Sequence, residues 1–179
     1  EYHPYTLIVK GGSRFALLNY TSGTHGMKKP EDSPYMVHLL DDEDRVREDI
    51  KKAKGDADFI IVFVHWGTED AQQPDDFQKK WTEIFLDSKV DVVVGTHPHE
   101  LQPYEVLSDD SGHNMLIYYS IGNFVSAQPE KSCIKGGMAR FTVSLTAEGY
   151  GITEYALEPL EIIRSSDGRY TVKPCDELK

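Results

Sequence analysis

Three histidines pose the first chemical question. His65 ends the apolar run Phe59-Ile60-Ile61-Val62-Phe63-Val64, while His97 and His99 flank Pro98 directly after a second run, Val90 to Gly95. Neutral imidazole is a nitrogen donor that suits divalent zinc, iron, nickel and copper. In extended backbone residues i and i+2 face one way, so His97 and His99 can reach one centre. Pro98 fixes its own φ and is expected to hold His97 in extended geometry. Without a metal, the same rings would titrate near neutrality and bind phosphate or sulfate when protonated.

Those rings converge only if the two apolar runs are neighbouring parallel strands. The first run is short and β-branched, as in a strand covered on both faces. Pro74-Asp75-Asp76 then opens a helix on which Phe77, Trp81, Ile84 and Phe85 form one apolar face. Strand, amphipathic helix, strand is a βαβ unit with a right-handed crossover, and ligands sit beyond the carboxyl ends of such strands. Upstream, Tyr5–Lys10 and Arg14–Thr21 flank Gly11-Gly12-Ser13 and read as a hairpin. Residues 21–34 read as a loop, and 41–54 as a helix with early acids and late lysines that Gly55 ends. Downstream the pattern changes to antiparallel strands at 104–107, 115–120, 139–146, 152–157 and 170–173.

The chain has 179 residues, with 19 basic and 30 acidic side chains and a formal charge of −11. One domain is expected, large enough to bury a core. Nucleic acid and anionic lipid surfaces are poor partners for such a charge, since both need clustered Lys and Arg. The cluster Lys51-Lys52-Ala53-Lys54 reads as a solvated helix face. No apolar run approaches the roughly 20 residues that span a bilayer. Cys133 and Cys175 lack zinc-site spacing, leaving one disulfide or two thiols as alternatives. The chain begins at Glu1 rather than Met, so any targeting segment is expected to lie outside it, and the chain to be part of something longer.

The blocks "NYTSGTHG" (Asn19–Gly26), "IIVFVHWGTE" (Ile60–Glu69), "VVVGTHPHELQPYE" (Val92–Glu105) and "IYYSIGNFV" (Ile117–Val125) resemble, in order, the CapA/PgsA family of capsule-synthesis and poly-γ-glutamate-biosynthesis proteins. That family resembles the calcineurin-like metallophosphoesterases, an α/β fold in which two sheets flanked by helices (an α/β/β/α sandwich) surround a two-metal centre. The resemblance implies that His65 matches the solitary histidine ligand, and His97 and His99 the histidine pair of the GHxH-type motif. Trp66, Glu69, Gln102 and Asn123 also fall in family blocks. Glu69 is a candidate for catalysis or for a place behind the ligands, against a solvated loop acid. Trp66 is either a stacking platform or a lid over the core. Gln102 is a candidate binding residue, and Asn123 either caps its turn or bonds into the crevice.

The family's other ligand motifs have no counterpart upstream of His65. Gly55-Asp56 stands at the wrong end of a strand, and Gly122-Asn123-Phe124 has Phe where the superfamily's Asn-His pair needs His. Residues 1–179 are therefore expected to form one partial domain lacking its first metal-binding half, with motifs over 1–125 and a β-rich extension over 126–179. Two adjacent cations need bridging anions, which three neutral imidazoles do not supply. The resemblance implies a divalent metal (Mn, Zn or Fe) in the full-length protein, and either one weakly held metal or none in this chain. It implies work at the extracellular or periplasmic face of the bacterial cell envelope, anchored by a segment outside this sequence. The partner would be an anionic capsular polymer or its synthesis machinery. The parent is read as a metal-dependent hydrolase or transferase with this chain alone inactive; the alternative is a non-catalytic envelope scaffold.

Overall fold

The computed structural model describes residues 2–28, 31–33, 36–127, 134–147 and 149–175. The first hairpin pairs β1 (Tyr5–Lys10) with β2 (Ser13–Thr21) through Gly11 and Gly12, whose φ values of 61° and 85° only glycine adopts freely. Helix α1 (Glu43–Asp56) starts at its N-cap Asp42, which accepts from the backbone N–H of Arg45. Gly55 does not end it. The helix runs one residue further and closes when Ala57 N–H bonds to Ala53 O, because the following strand needs extended backbone from there. The strand β3 (Phe59–His65), helix α2 (Asp76–Asp87) and strand β4 (Val92–Thr96) form the expected βαβ unit. A reciprocal capping box between Asp75 and Gln78 fixes the start of α2.

Strands β5 (Tyr104–Ser108) and β6 (Asn114–Tyr118) complete a six-stranded sheet in the order β1-β2-β3-β4-β6-β5. Within it β2, β3, β4 and β6 are mutually parallel, and only the edges β1 and β5 run antiparallel. A second, antiparallel sheet holds β7 (Lys135–Thr146), β8 (Gly149–Arg164) and β9 (Tyr170–Pro174). β7 and β8 are much longer than their alternating cores at 139–146 and 152–157. Gly136, Gly137 and Pro159 look like turn residues but lie within the paired segments. Gly136 is needed where it stands: a Cβ there would meet Asn123 O at 1.9 Å.

Three layers follow from the alternation along the buried strands. Ile60, Val62 and Val64 face the helices and pack with Val46, Ile50, Trp81 and Phe85. Phe59, Ile61, Val92, Val94 and Leu116 face the other way, onto Ala139, Phe141, Val143 and Leu157 of the second sheet. These are three of the layers of the expected sandwich. Tyr118 ties the two sheets. Its hydroxyl, on a 1% exposed side chain, reaches Arg140 O at 3.1 Å and Ala156 O at 2.9 Å. Tyr118→Phe is expected to cost about 1–2 kcal/mol by leaving those carbonyls short of a donor. A urea midpoint unchanged from the wild type would refute this.

Among the described residues no helix is long and apolar enough to cross a membrane. The pairing of Cys133 with Cys175 falls outside them, because Cys133 is not described.

Candidate metal centre

Because four consecutive members of the sheet run parallel, the loops that leave β2, β3, β4 and β6 all open on one rim. The parallel register aligns Thr21 with His65 and His65 with Thr96. His65 is the last residue of β3; His97 and His99 leave β4; Asn123 follows β6. The loop after β2 brings a fourth imidazole, His25. It is tied to the end of β3 by Ser22 N–H donating to His65 O at 2.8 Å.

The histidines expected to converge do so in part. His65 Nε2 and His97 Nδ1 are 3.0 Å apart, and ring nitrogens of His25, His65 and His97 all lie within 4.8 Å of one another. His99 stands beside this cluster, its ring centroid 6.3 Å from that of His97, and turns Nδ1 to Asn123 Oδ1 at 2.9 Å. An amide oxygen only accepts, so His99 carries its proton on Nδ1 and keeps the lone pair on Nε2. Asn123 thus bonds into the crevice and fixes a tautomer, the pattern by which outer groups orient imidazole donors.

A second chain of hydrogen bonds fixes the other two rings. Thr96 Oγ1 donates to Val64 O at 3.3 Å, which leaves it to accept from His65 Nδ1 at 3.3 Å. His65 Nε2 therefore holds a lone pair, and His97 Nδ1–H donates into it. Burial, then the neighbouring rings of His97, His25 and His99, lower the His65 pKa against the opposing pull of Glu69. For His97, too, burial is the largest influence and lowers the pKa; Glu69 opposes it, and His25 and His99 reinforce it. Both shifts favour neutral imidazole, the form that ligates.

One expectation about the backbone is corrected. His97 is not extended: its φ is 101°, and His99 has 63°. Proline excludes the right-handed helical region for the preceding residue, but the chain must also turn at once after β4. The turn is held by Asp70 N–H donating to Pro98 O at 2.8 Å and by the bridge from Leu101 to Ile121. The two side chains are brought together by a strained turn rather than by strand alternation.

Two further candidates are positioned away from any ligand. Trp66 is 0% exposed, packs on Phe85 and donates Nε1–H to Tyr119 O at 2.9 Å. It is a lid over the core, and its burial rules out the stacking platform. Gln102 is also buried, and its amide donates to Ala71 O and Gln73 O while accepting from Gln78. It latches the loop that carries Glu69, which is exposed and acts on His65 and His97 through its charge.

A mixed sheet layered on a smaller antiparallel one, with imidazoles at the carboxyl rim, is the metallophosphoesterase-like fold. The chain superposes on the NAD nucleotidase NadN of Haemophilus influenzae with a TM-score of 0.50 and 14% identity, over 97% of this chain and 34% of that one. For a putative 5'-nucleotidase of Staphylococcus aureus the values are 0.52 and 14%, over 93% and 31%. For the sulfate thiohydrolase SoxB of Thermus thermophilus they are 0.51 and 17%, over 88% and 24%. Within that fold, the chain belongs to the bacterial capsule synthesis protein family PGA_cap, whose profile matches residues 1–128. It is 36% identical over 105 residues to the PGA biosynthesis protein CapA of Bacillus subtilis (strain 168), covering 53% of this chain and 26% of that protein. It is 33% identical over 122 residues to the capsule biosynthesis protein CapA of Bacillus anthracis, covering 65% and 28%. The chain thus spans about a quarter of the length of these relatives.

His25 is the residue that spacing arguments miss. A signal for it existed: strand 14–21, helix 41–54 and strand 58–64 form another βαβ unit. Its first loop must therefore open on the same rim as His65.

Proposed function

We propose that this chain serves capsule or poly-γ-glutamate production at the bacterial cell envelope, and that its rim of imidazoles holds a divalent cation for a hydrolytic or transfer step of the whole protein. The observation that carries the reading is the 3.0 Å approach of His65 Nε2 to His97 Nδ1 at the shared end of two parallel strands. Two nitrogens on one tetrahedral zinc, each at about 2.0–2.1 Å, lie roughly 3.3 Å apart. The pair therefore fits one metal with little movement. A second metal does not fit the described residues, because no carboxylate joins the cluster of His25, His65 and His97. Bridging anions for a two-metal centre would have to come from other parts of the whole protein.

A cation held here would polarise a phosphoryl or amide oxygen and lower the pKa of a bound water. The chain's own groups supply the rest. His99, with its lone pair on Nε2, is placed to accept a hydrogen bond from a nucleophile, and Glu69 acts on His65 and His97 through its charge. The Gln102 latch keeps that acid's loop in place. Polyglutamate is anionic, and a chain of charge −11 repels it unless cations bridge the two. The missing carboxylates also favour a second reading, a non-catalytic scaffold that gathers polymer through a bound cation.

Assayed with manganese or zinc, the whole protein is expected to turn over a phosphodiester such as bis(4-nitrophenyl) phosphate, and His97→Ala to lose at least about a hundredfold of that rate. No turnover, with polymer retention that chelator abolishes, selects the scaffold. Retention indifferent to both chelator and His97→Ala, without turnover, overturns both readings.

A further inference from the structure

We propose that His25 is a metal ligand, and that His25, His65 and His97 form a three-imidazole site for a single transition-metal ion, with His99 outside the donor set. This rests on the reading that the rim takes a divalent cation, and it names the atoms and the class of ion. Three observations carry it. Ring nitrogens of these three residues, and not of His99, lie mutually within 4.8 Å. The ring centroid of His25 is 5.4 Å from that of His97 and 6.1 Å from that of His65, so it closes the open side of the pair. A cavity of about 200 Å³ lies among Ser22, Gly23, His25, His65 and His97. His99 does not line it.

Metal entry requires a change of tautomer and no loss of a proton. In the hydrogen-bonded pair one proton sits on His97 Nδ1, facing the lone pair of His65 Nε2. A cation entering that gap takes the His65 lone pair, and His97 moves its proton from Nδ1 to Nε2, freeing Nδ1 to bind. His25 is on an exposed loop and needs only a small shift to bring a nitrogen within bonding distance. Its backbone is already committed to the turn, with φ 49° and the loop closed by Met27 N–H donating to Thr24 O. Three neutral nitrogens without a carboxylate select zinc, cobalt or nickel over magnesium or calcium, which require oxygen. A fourth position stays open for water or substrate, the arrangement of three-ligand catalytic zinc sites.

The test compares His25→Asn with His99→Asn. Asparagine tolerates positive φ, so each change removes an imidazole while sparing its turn. The probes are cobalt(II), followed by its visible absorption, and zinc, by equilibrium dialysis; a thermal melt of the apo forms checks folding. The wild type is expected to bind one ion per chain with the intense d–d bands of a low-coordinate nitrogen site. Loss of an outer partner alone weakens metal sites about 10–100-fold, so His25→Asn is expected to weaken cobalt at least that much and to alter the bands. His99→Asn is expected to leave both the affinity and the bands as in the wild type. The reverse result, loss in His99→Asn with His25→Asn unaffected, overturns this donor set while leaving a metal at the rim. No ion bound by the wild type overturns the rim reading itself.

Discussion

Gly95→Ala is expected to destabilise the protein by about 4 kcal/mol. A Cβ at Gly95 would stand 2.0 Å from Tyr119 O and 2.6 Å from Trp66 Nε1. These are two ends of one hydrogen bond, at 2.9 Å, between groups buried beside the core. Overpacking a tight site costs about 1–3 kcal/mol, and stranding a buried indole N–H adds about 1–3 more. The backbone there has no easy escape, since Gly95 pairs with Val64 on one side and accepts from Ile121 N–H on the other. Against a total stability of about 5–15 kcal/mol, the melting temperature should fall by roughly 10 °C. A melt within about 2 °C of the wild type would show that the strands can separate there at little cost.

Asp91→Asn is expected to stabilise the protein, and only at neutral and alkaline pH. Asp91 stands at the other end of β4, where burial pushes its carboxyl up to about 6 from an ordinary 3.8. It accepts from Ile60 N–H at 2.7 Å, and the charges facing it are Lys54 from the end of α1 and His113 from the turn between β5 and β6. The folded protein binds this proton more tightly than the unfolded chain does. Its contribution is thus fully present below the unfolded value of 3.8 and is lost as pH rises through about 6. Above that, a buried anion remains as a constant cost of about 3 kcal/mol. Asparagine keeps the acceptor for Ile60 and carries no charge. The stability difference between variant and wild type should be near zero at pH 4 and approach 3 kcal/mol by pH 8, by linkage. Urea titrations giving a constant difference across that range would mean the carboxylate is ionised in the fold without penalty.

The buried strands and their helices were legible because burial and periodicity act locally. Phe59 to Val62 and Val92 to Val94 are apolar since both faces of β3 and β4 are covered there. Pro74-Asp75-Asp76 announced the start of α2, where Asp75 is the N-cap and bonds within one turn to Gln78. The family blocks also pointed to the right family, matched over residues 1–128. What escaped was decided by contacts distant in sequence. Alternation places the start of β7 too late, because Gly136 is explained only by the Asn123 backbone and Gly137 only by the Leu157 side chain. The ring neighbours of His25 are His65 and His97, both distant in sequence, and it becomes visible only once β2 and β3 are seen as parallel neighbours. The turn at His97 defeated a local rule about proline because contacts from the loop at Asp70 and from Ile121 after β6 hold it.

Among the described residues, five that are not glycine have positive φ, and His25, His97 and His99 are three of them. Each such backbone costs about 1 kcal/mol that glycine or asparagine would largely recover. The substitutions that relax the chain most are thus the ones that strip away its rings. A laboratory selection for heat tolerance alone would be drawn to these positions, and the hardier descendants would be the ones that had forgotten their chemistry.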